Sequence, residues 1–102
     1  MADAYVALLL VHLHFPEAGS LKAKRRDLAS VKAQLHGRMG VTVAEVDHQD
    51  LWQRTTLAAA LTGGSPSHLE VETDRVERFL LDRFPETCRV ERRLVSFDEV
   101  WE

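Results

Sequence analysis

One cysteine, three prolines, five glycines and a single tyrosine are spread over 102 residues. The lone thiol, Cys88, excludes an internal disulfide and fits a reducing, cytoplasmic setting; it reads as a small buried thiol rather than a nucleophile. The apolar run from Ala4 to Val11 falls far short of the ~20 residues that a membrane helix needs. It follows Asp3 and has no basic leader, so it reads as a buried strand and not as a signal peptide. Positive charge is also in short supply. Thirteen basic against sixteen acidic side chains leave a net charge of -3, which argues against coating nucleic acid by bulk charge but allows a local basic patch. P-loop, dinucleotide fingerprint and G-x-S-x-G elbow are missing. No cofactor is implied, and no residue stands out as catalytic.

The length suits one compact domain, residues 1–102. An apolar fraction of 45% with 28% charged residues is that of an ordinary soluble protein. Tyr5 to His14 reads as a strand, broken by Phe15-Pro16-Glu17-Ala18-Gly19. Ser20 stands at an N-cap position. Leu21, Leu28, Val31, Leu35 and Met39 mark one face of a helix that Gly40 closes. Val41 to Asp47 and Arg54 to Thr62 read as two more strands. After Gly63-Gly64, a second helix runs to about Phe84. It is capped either by Ser67 with Glu70 or by Ser65 with Pro66 as first helical residue. A long last strand follows from Arg89 to Trp101, with Val95, Phe97 and Trp101 on one face.

The order β-α-β-β-α-β predicts an α+β fold, a ferredoxin-like two-layer sandwich with two helices on one face of an antiparallel sheet. The first and second strands then point the same way. Their ends meet at one edge, with His12, His14, the loop from Phe15, the helix start and Asp47 to Trp52.

Two stretches carry a family resemblance: Ser20-Leu21-Lys22-Ala23-Lys24-Arg25, and Val43-Ala44-Glu45-Val46-Asp47-His48-Gln49-Asp50-Leu51-Trp52-Gln53-Arg54. With the His-Leu-His strand end and the second helix, they make the chain closely resemble the YlxP-like family of small bacterial proteins, over nearly its whole length. The resemblance implies a ferredoxin-like fold and a bacterial cytoplasmic protein. It implies no established activity. In some bacteria the genes of this family lie beside those for translation initiation and ribosome maturation, which implies RNA or the ribosome as a partner.

The residues themselves raise competing readings of the shared edge. Lys22, Lys24, Arg25 and Arg26 crowd the start of the first helix, where the helix dipole disfavours cations. The second helix, in contrast, places Glu70, Glu72 and Asp74 early. Either Glu17, Asp27, Asp47 and Asp50 neutralise the cluster, or Ser20 and the cations receive an anion such as an RNA phosphate. Likewise Asp47, His48 and Asp50 form either a salt-bridged loop or part of a site. Trp52 is an apolar lid or a stacking platform, with Gln53 and Arg54 beside it. His12 and His14, two apart on a strand, either face solvent or are half of a metal site that Asp47, His48 or Asp50 would complete, which with Asp47 would make a metal-dependent hydrolase. His36 and His68 read as exposed. RNA binding across the sheet face is disfavoured, because the third strand has no aromatic residue.

The leading expectation is a non-enzymatic, translation-associated accessory factor that binds RNA or a ribosomal component through this edge. The alternative is a homo-oligomeric regulatory module for a small anionic ligand, since Phe15 to Leu21 resembles the loop of amino-acid-binding ACT domains. A two-layer fold leaves one sheet face without helices; if either Val6, Leu8 and Leu10 or Val95, Phe97 and Trp101 lie on it, the chain needs a partner, and self-association is the simplest.

Overall fold

The computed structural model of the chain describes residues 3–16, 19–47, 51 and 53–101. Its elements are β1 (Tyr5–His14), α1 (Leu21–Met39), β2 (Thr42–Asp47), β3 (Arg54–Gly63), α2 (Pro66–Arg83) and β4 (Cys88–Ser96), with a short 3-10 turn at Phe97–Glu99. Both helices begin on a serine. The Ser20 hydroxyl accepts the Ala23 N–H, and the Ser65 hydroxyl accepts the His68 N–H, which satisfies donors that a helix start leaves open. Gly40 ends α1 in the left-handed region at φ 66°, where a Cβ would be strained.

The strands form one antiparallel sheet in the order β2-β3-β1-β4. This is the expected ferredoxin-like α+β arrangement, with β1 bonded on both sides. Side chains alternate along β1. Ala7, Leu9, Val11 and Leu13 are buried beneath the helices, while Leu8 and Leu10 point to the other face and are 47% and 37% exposed. Leu28, Val31 and Leu35 of α1 and Leu69, Val76 and Leu80 of α2 complete the core from the helical layer. Arg92 of β4 ties α2 to the sheet. Its guanidinium lies 2.8 Å from Glu70 and Asp74 and 3.0 Å from Glu77. Partial burial works against the charge of this guanidinium, and the carboxylates of Glu77, Asp74 and Glu70 outweigh it, holding its pKa above the ordinary arginine value.

Two expectations need correction, and one open alternative is decided. The last strand stops at Ser96, not Trp101. There the Ser96 hydroxyl accepts the Asp98 N–H while Glu99 accepts the Ser96 N–H, a capping box that turns the chain away. Phe97 and Trp101 then stack on each other at 5.7 Å between ring centres instead of following Val95 along a strand face. The cap of α2 is Ser65 with Pro66 in the first turn, so Ser67 and Glu70 form no capping box. This earlier start also removes the contrast between the two helices. Neither has an acid in its first turn, and Glu70 and Asp74 serve Arg92 instead.

The connection from α2 to β4 is a tight turn in which Thr87 N–H reaches the Phe84 carbonyl at 3.2 Å. Pro85 suits the second position of such a turn, but Glu86 takes φ 65° at the third, a place that glycine fills without strain. Glu86→Gly is therefore expected to stabilise the fold by ~0.5–1 kcal/mol in urea denaturation, because the relief of left-handed strain exceeds the added chain entropy.

Candidate functional site

At one end of the sheet the chain gathers the C-terminal ends of β1 and β2, the starts of β3 and β4, the start of α1 and the end of α2. Two backbone bonds weld this edge. The His14 N–H donates to the Thr87 carbonyl at 2.9 Å, and the Phe15 N–H donates to the Gln53 carbonyl at 2.7 Å. Phe15 is buried and meets the Phe84 ring edge-on at 5.5 Å.

The four cations at the start of α1 do not act together. Lys24 is only 1% exposed. It turns into the fold and donates from Nζ to the Leu51 carbonyl, which fixes Leu51 against the helix. Its position explains this, because Lys24, Leu28, Val31 and Leu35 recur at the 4-3-4 spacing of a helix's inner face. Lys22, Arg25 and Arg26 lie three and four residues apart on the outer face and are exposed. Among the described residues, none of these three has an ion pair or side-chain hydrogen bond, and neither does Asp27. Asp47 is exposed and has a polar partner of its own. Glu45, on the helical side of β2, faces Lys32 at 3.7 Å.

Gln53 and Arg54 are both exposed, and Arg54 stands opposite His14 in the β1–β3 ladder. Glu17, His48, Asp50 and Trp52 lie outside the described residues. His12 and His14 share the open sheet face as expected. The His12 ring, however, meets Glu91 at 2.7 Å, and no group of three or more metal-ligating side chains comes together among the described residues. The hydrogen bond from His12 lowers the Glu91 carboxyl pKa, partial desolvation opposes it, and the charge of Arg89 adds to the lowering. Cys88 opens β4 half-buried. Burial, with the Glu77 charge second, pushes its thiol up to about 11, so it stays protonated at neutral pH and is a poor nucleophile.

One feature of the edge escapes the sequence reading. A shallow cleft of about 300 Å³ separates the start of α1 from the end of α2, with Phe15 and Phe84 in its wall and His14, Asp27, Arg83 and Thr87 as its polar residues. The Arg83 guanidinium lies 5.8 Å from the centre of the Phe84 ring. No spacing in the chain announces this cleft, because Asp27 and Arg83 line it together only through the placement of both helices on one face of the sheet.

A family model described as "Protein of unknown function (DUF503)" matches residues 6–93, and the chain belongs to that family. It is 38% identical over 81 residues to "Uncharacterized protein YlxP" of Bacillus subtilis (strain 168), covering 79% of this chain and 87% of that one. Among solved structures, the de novo designed protein Foldit4 is similar with a TM-score of 0.57 at 13% identity, over 91% of this chain and 97% of that one. The VAO-type flavoprotein MtVAO713 from Myceliophthora thermophila C1 is similar with a TM-score of 0.55 at 15% identity; 98% of this chain corresponds to 20% of that one. These structural likenesses concern the fold alone.

The division among the cations is measurable. Lys24→Met keeps the length of the side chain but leaves the Leu51 carbonyl without its charged donor, and is expected to cost about 1.5–3 kcal/mol in urea denaturation. Lys22→Ala and Arg25→Ala should each change stability by no more than ~0.5 kcal/mol.

Proposed function

We propose that this protein is a non-enzymatic accessory factor that binds RNA through the edge at the start of α1. The observation that carries this reading is the outward cluster of Lys22, Arg25 and Arg26, which has no acidic partner among the described residues. Elsewhere the chain does pair cations, and Arg92 alone engages three carboxylates. Cations at a helix start add to the positive end of its dipole instead of cancelling it. The sum is a local positive field on an acidic protein, suited to a phosphate backbone. Arg54 extends the basic edge onto the sheet. The open face itself offers Leu8, Leu10, Ala58 and Ala60 where base stacking would need rings, so contact through the edge is the favoured mode. The gene neighbourhood implied by the family resemblance points to ribosomal RNA, or a particle containing it, as the partner.

Binding to a structured ribosomal RNA fragment across a salt series tests this. Lys22, Arg25, Arg26 and Arg54 supply up to four phosphate contacts, so the logarithm of affinity should fall with the logarithm of salt at a slope of about −2 to −4. Reversing Lys22, Arg25 and Arg26 to glutamate should weaken binding at least ~10-fold at low salt, while reversing the exposed Arg78 should leave it unchanged. Absence of binding at low salt, or equal affinity after reversal, would sink the reading.

The cleft between the helices favours a second reading, a regulatory module for a small ligand. Arg83 suits an anionic group, Asp27 a cationic one, and the two phenylalanines an apolar body. Such a ligand binds the folded state only, so at about 100 times its Kd it should stabilise the protein by ~2.7 kcal/mol in a thermal-shift screen of amino acids and their derivatives, and Arg83→Ala should abolish the shift. A screen with no shift removes this reading and leaves the first untouched.

A further inference from the structure

The face of the sheet without helices has a definite pattern. In register across β2, β3, β1 and β4, one row reads Thr42, Ala60, Leu8, Arg93. The next reads Ala44, Ala58, Leu10, Glu91, and the third Asp47, Thr56, His12, Arg89. Asp47 enters the third row because the ladder slips between Glu45 and Asp47. Beyond the first row, Val6 stands beside Val95. The face is therefore graded: small residues on β3, two exposed leucines on β1, and charges on β4. A shallow depression of about 450 Å³ lies over Leu8, Leu10 and Ala58 and is bounded by Glu91 and Arg93.

We infer that this face is covered by a second copy of the chain, related by a twofold axis that runs parallel to the strands between β1 and β3. Such an axis sets β1 of each copy over β3 of the other, and β4 over β2. Leu8 then stands over Ala60 of the second copy and Leu10 over Ala58, large over small, which lets two sheets interdigitate at their usual spacing of ~10 Å. Arg89 comes over the acidic Asp47, and Arg93 over the Thr42 hydroxyl. The surface is complementary to itself in shape and in charge. A twofold axis across the strands would instead set β1 over β1 and β4 over β4, with leucine meeting leucine and like charge near like charge. Four strands spaced ~4.8 Å and about nine residues long at ~3.3 Å each present a flat projection on the order of 600 Å². With side-chain relief added, that approaches the ~800 Å² per partner of a stable interface. The Lys22, Arg25 and Arg26 cluster at the start of α1 lies outside this face, so association leaves it open, while Arg54 stands at the border of the face opposite His14.

Sedimentation equilibrium of the full chain tests the inference. The protein is expected to be a dimer at about 100 μM. Leu8→Asp faces solvent in one copy, so it should keep the circular dichroism of the wild type while raising the dimer Kd at least 10-fold. The axis is tested by cross-linking in a Cys88→Ser background. A chain with Leu8→Cys mixed with a chain with Ala60→Cys should form a disulfide-linked heterodimer in preference to either homodimer. A wild-type monomer at that concentration, a dimer indifferent to Leu8→Asp, or cross-linking mainly of Leu8→Cys to itself would overturn the proposal.

Discussion

The pairing of β1 with β3 on one side and β4 on the other is the constraint on which the rest of the structure hangs. Its ten residues satisfy their backbone groups in two ladders at once, and the strict alternation of side chains then divides the molecule. Ala7, Leu9, Val11 and Leu13 go to the helices, and Leu8, Leu10, His12 and His14 go to the open face. A slip of one residue in either ladder would exchange these sets and put histidines in the core. The same pairing aligns the ends of β1 and β2, so the edge that carries the candidate site is a by-product of sheet register.

Lys24 links that framework to the edge. A lysine at 1% exposure is rare, and it is tolerated where its ammonium is satisfied by protein oxygens. Here the Leu51 carbonyl accepts from it. The consequence is a separation of roles within the five residues from Lys22 to Arg26. One cation holds Leu51, and three cations remain at the surface. A run that looks like one basic cluster is, in three dimensions, a structural bond and a smaller charged patch on opposite sides of one helix.

Much of this was legible in the chain. The apolar run from Tyr5, the serine before each helix and the glycine after the first report local propensities that act over a few residues, and the elements they delimit stand where expected. The burial of Lys24 was also legible, since its spacing from Leu28 and Val31 puts it on the inner stripe, but its charge drew attention away from its position. Less was legible at the end of β4. Ser96 and Glu99 carry a capping signal, yet the alternation of Val95, Phe97 and Trp101 imitates a strand. The hydrogen bonds of the capping box outweigh that pattern: the Phe97 N–H still donates to the Ala4 carbonyl at 2.9 Å, and the chain then turns away. The start of α2 was open between two serines, and Pro66 decides it: a residue without an N–H is at home in the first turn.

By itself, the sequence determined the order and approximate limits of the elements, the ferredoxin-like arrangement and membership of the family, because hydrophobic period, caps and turn residues act locally and family motifs are strings. Tertiary structure alone decided that Lys22, Arg25 and Arg26 have no acidic partner among the described residues, that Asp27 and Arg83 flank one cleft, that Arg92 gathers Glu70, Asp74 and Glu77, and that a leucine column lies beside an alanine column on the open face. Each of these depends on residues far apart in the chain, brought together by helix packing and ladder register. No spacing rule read along one strand or one helix contains that information.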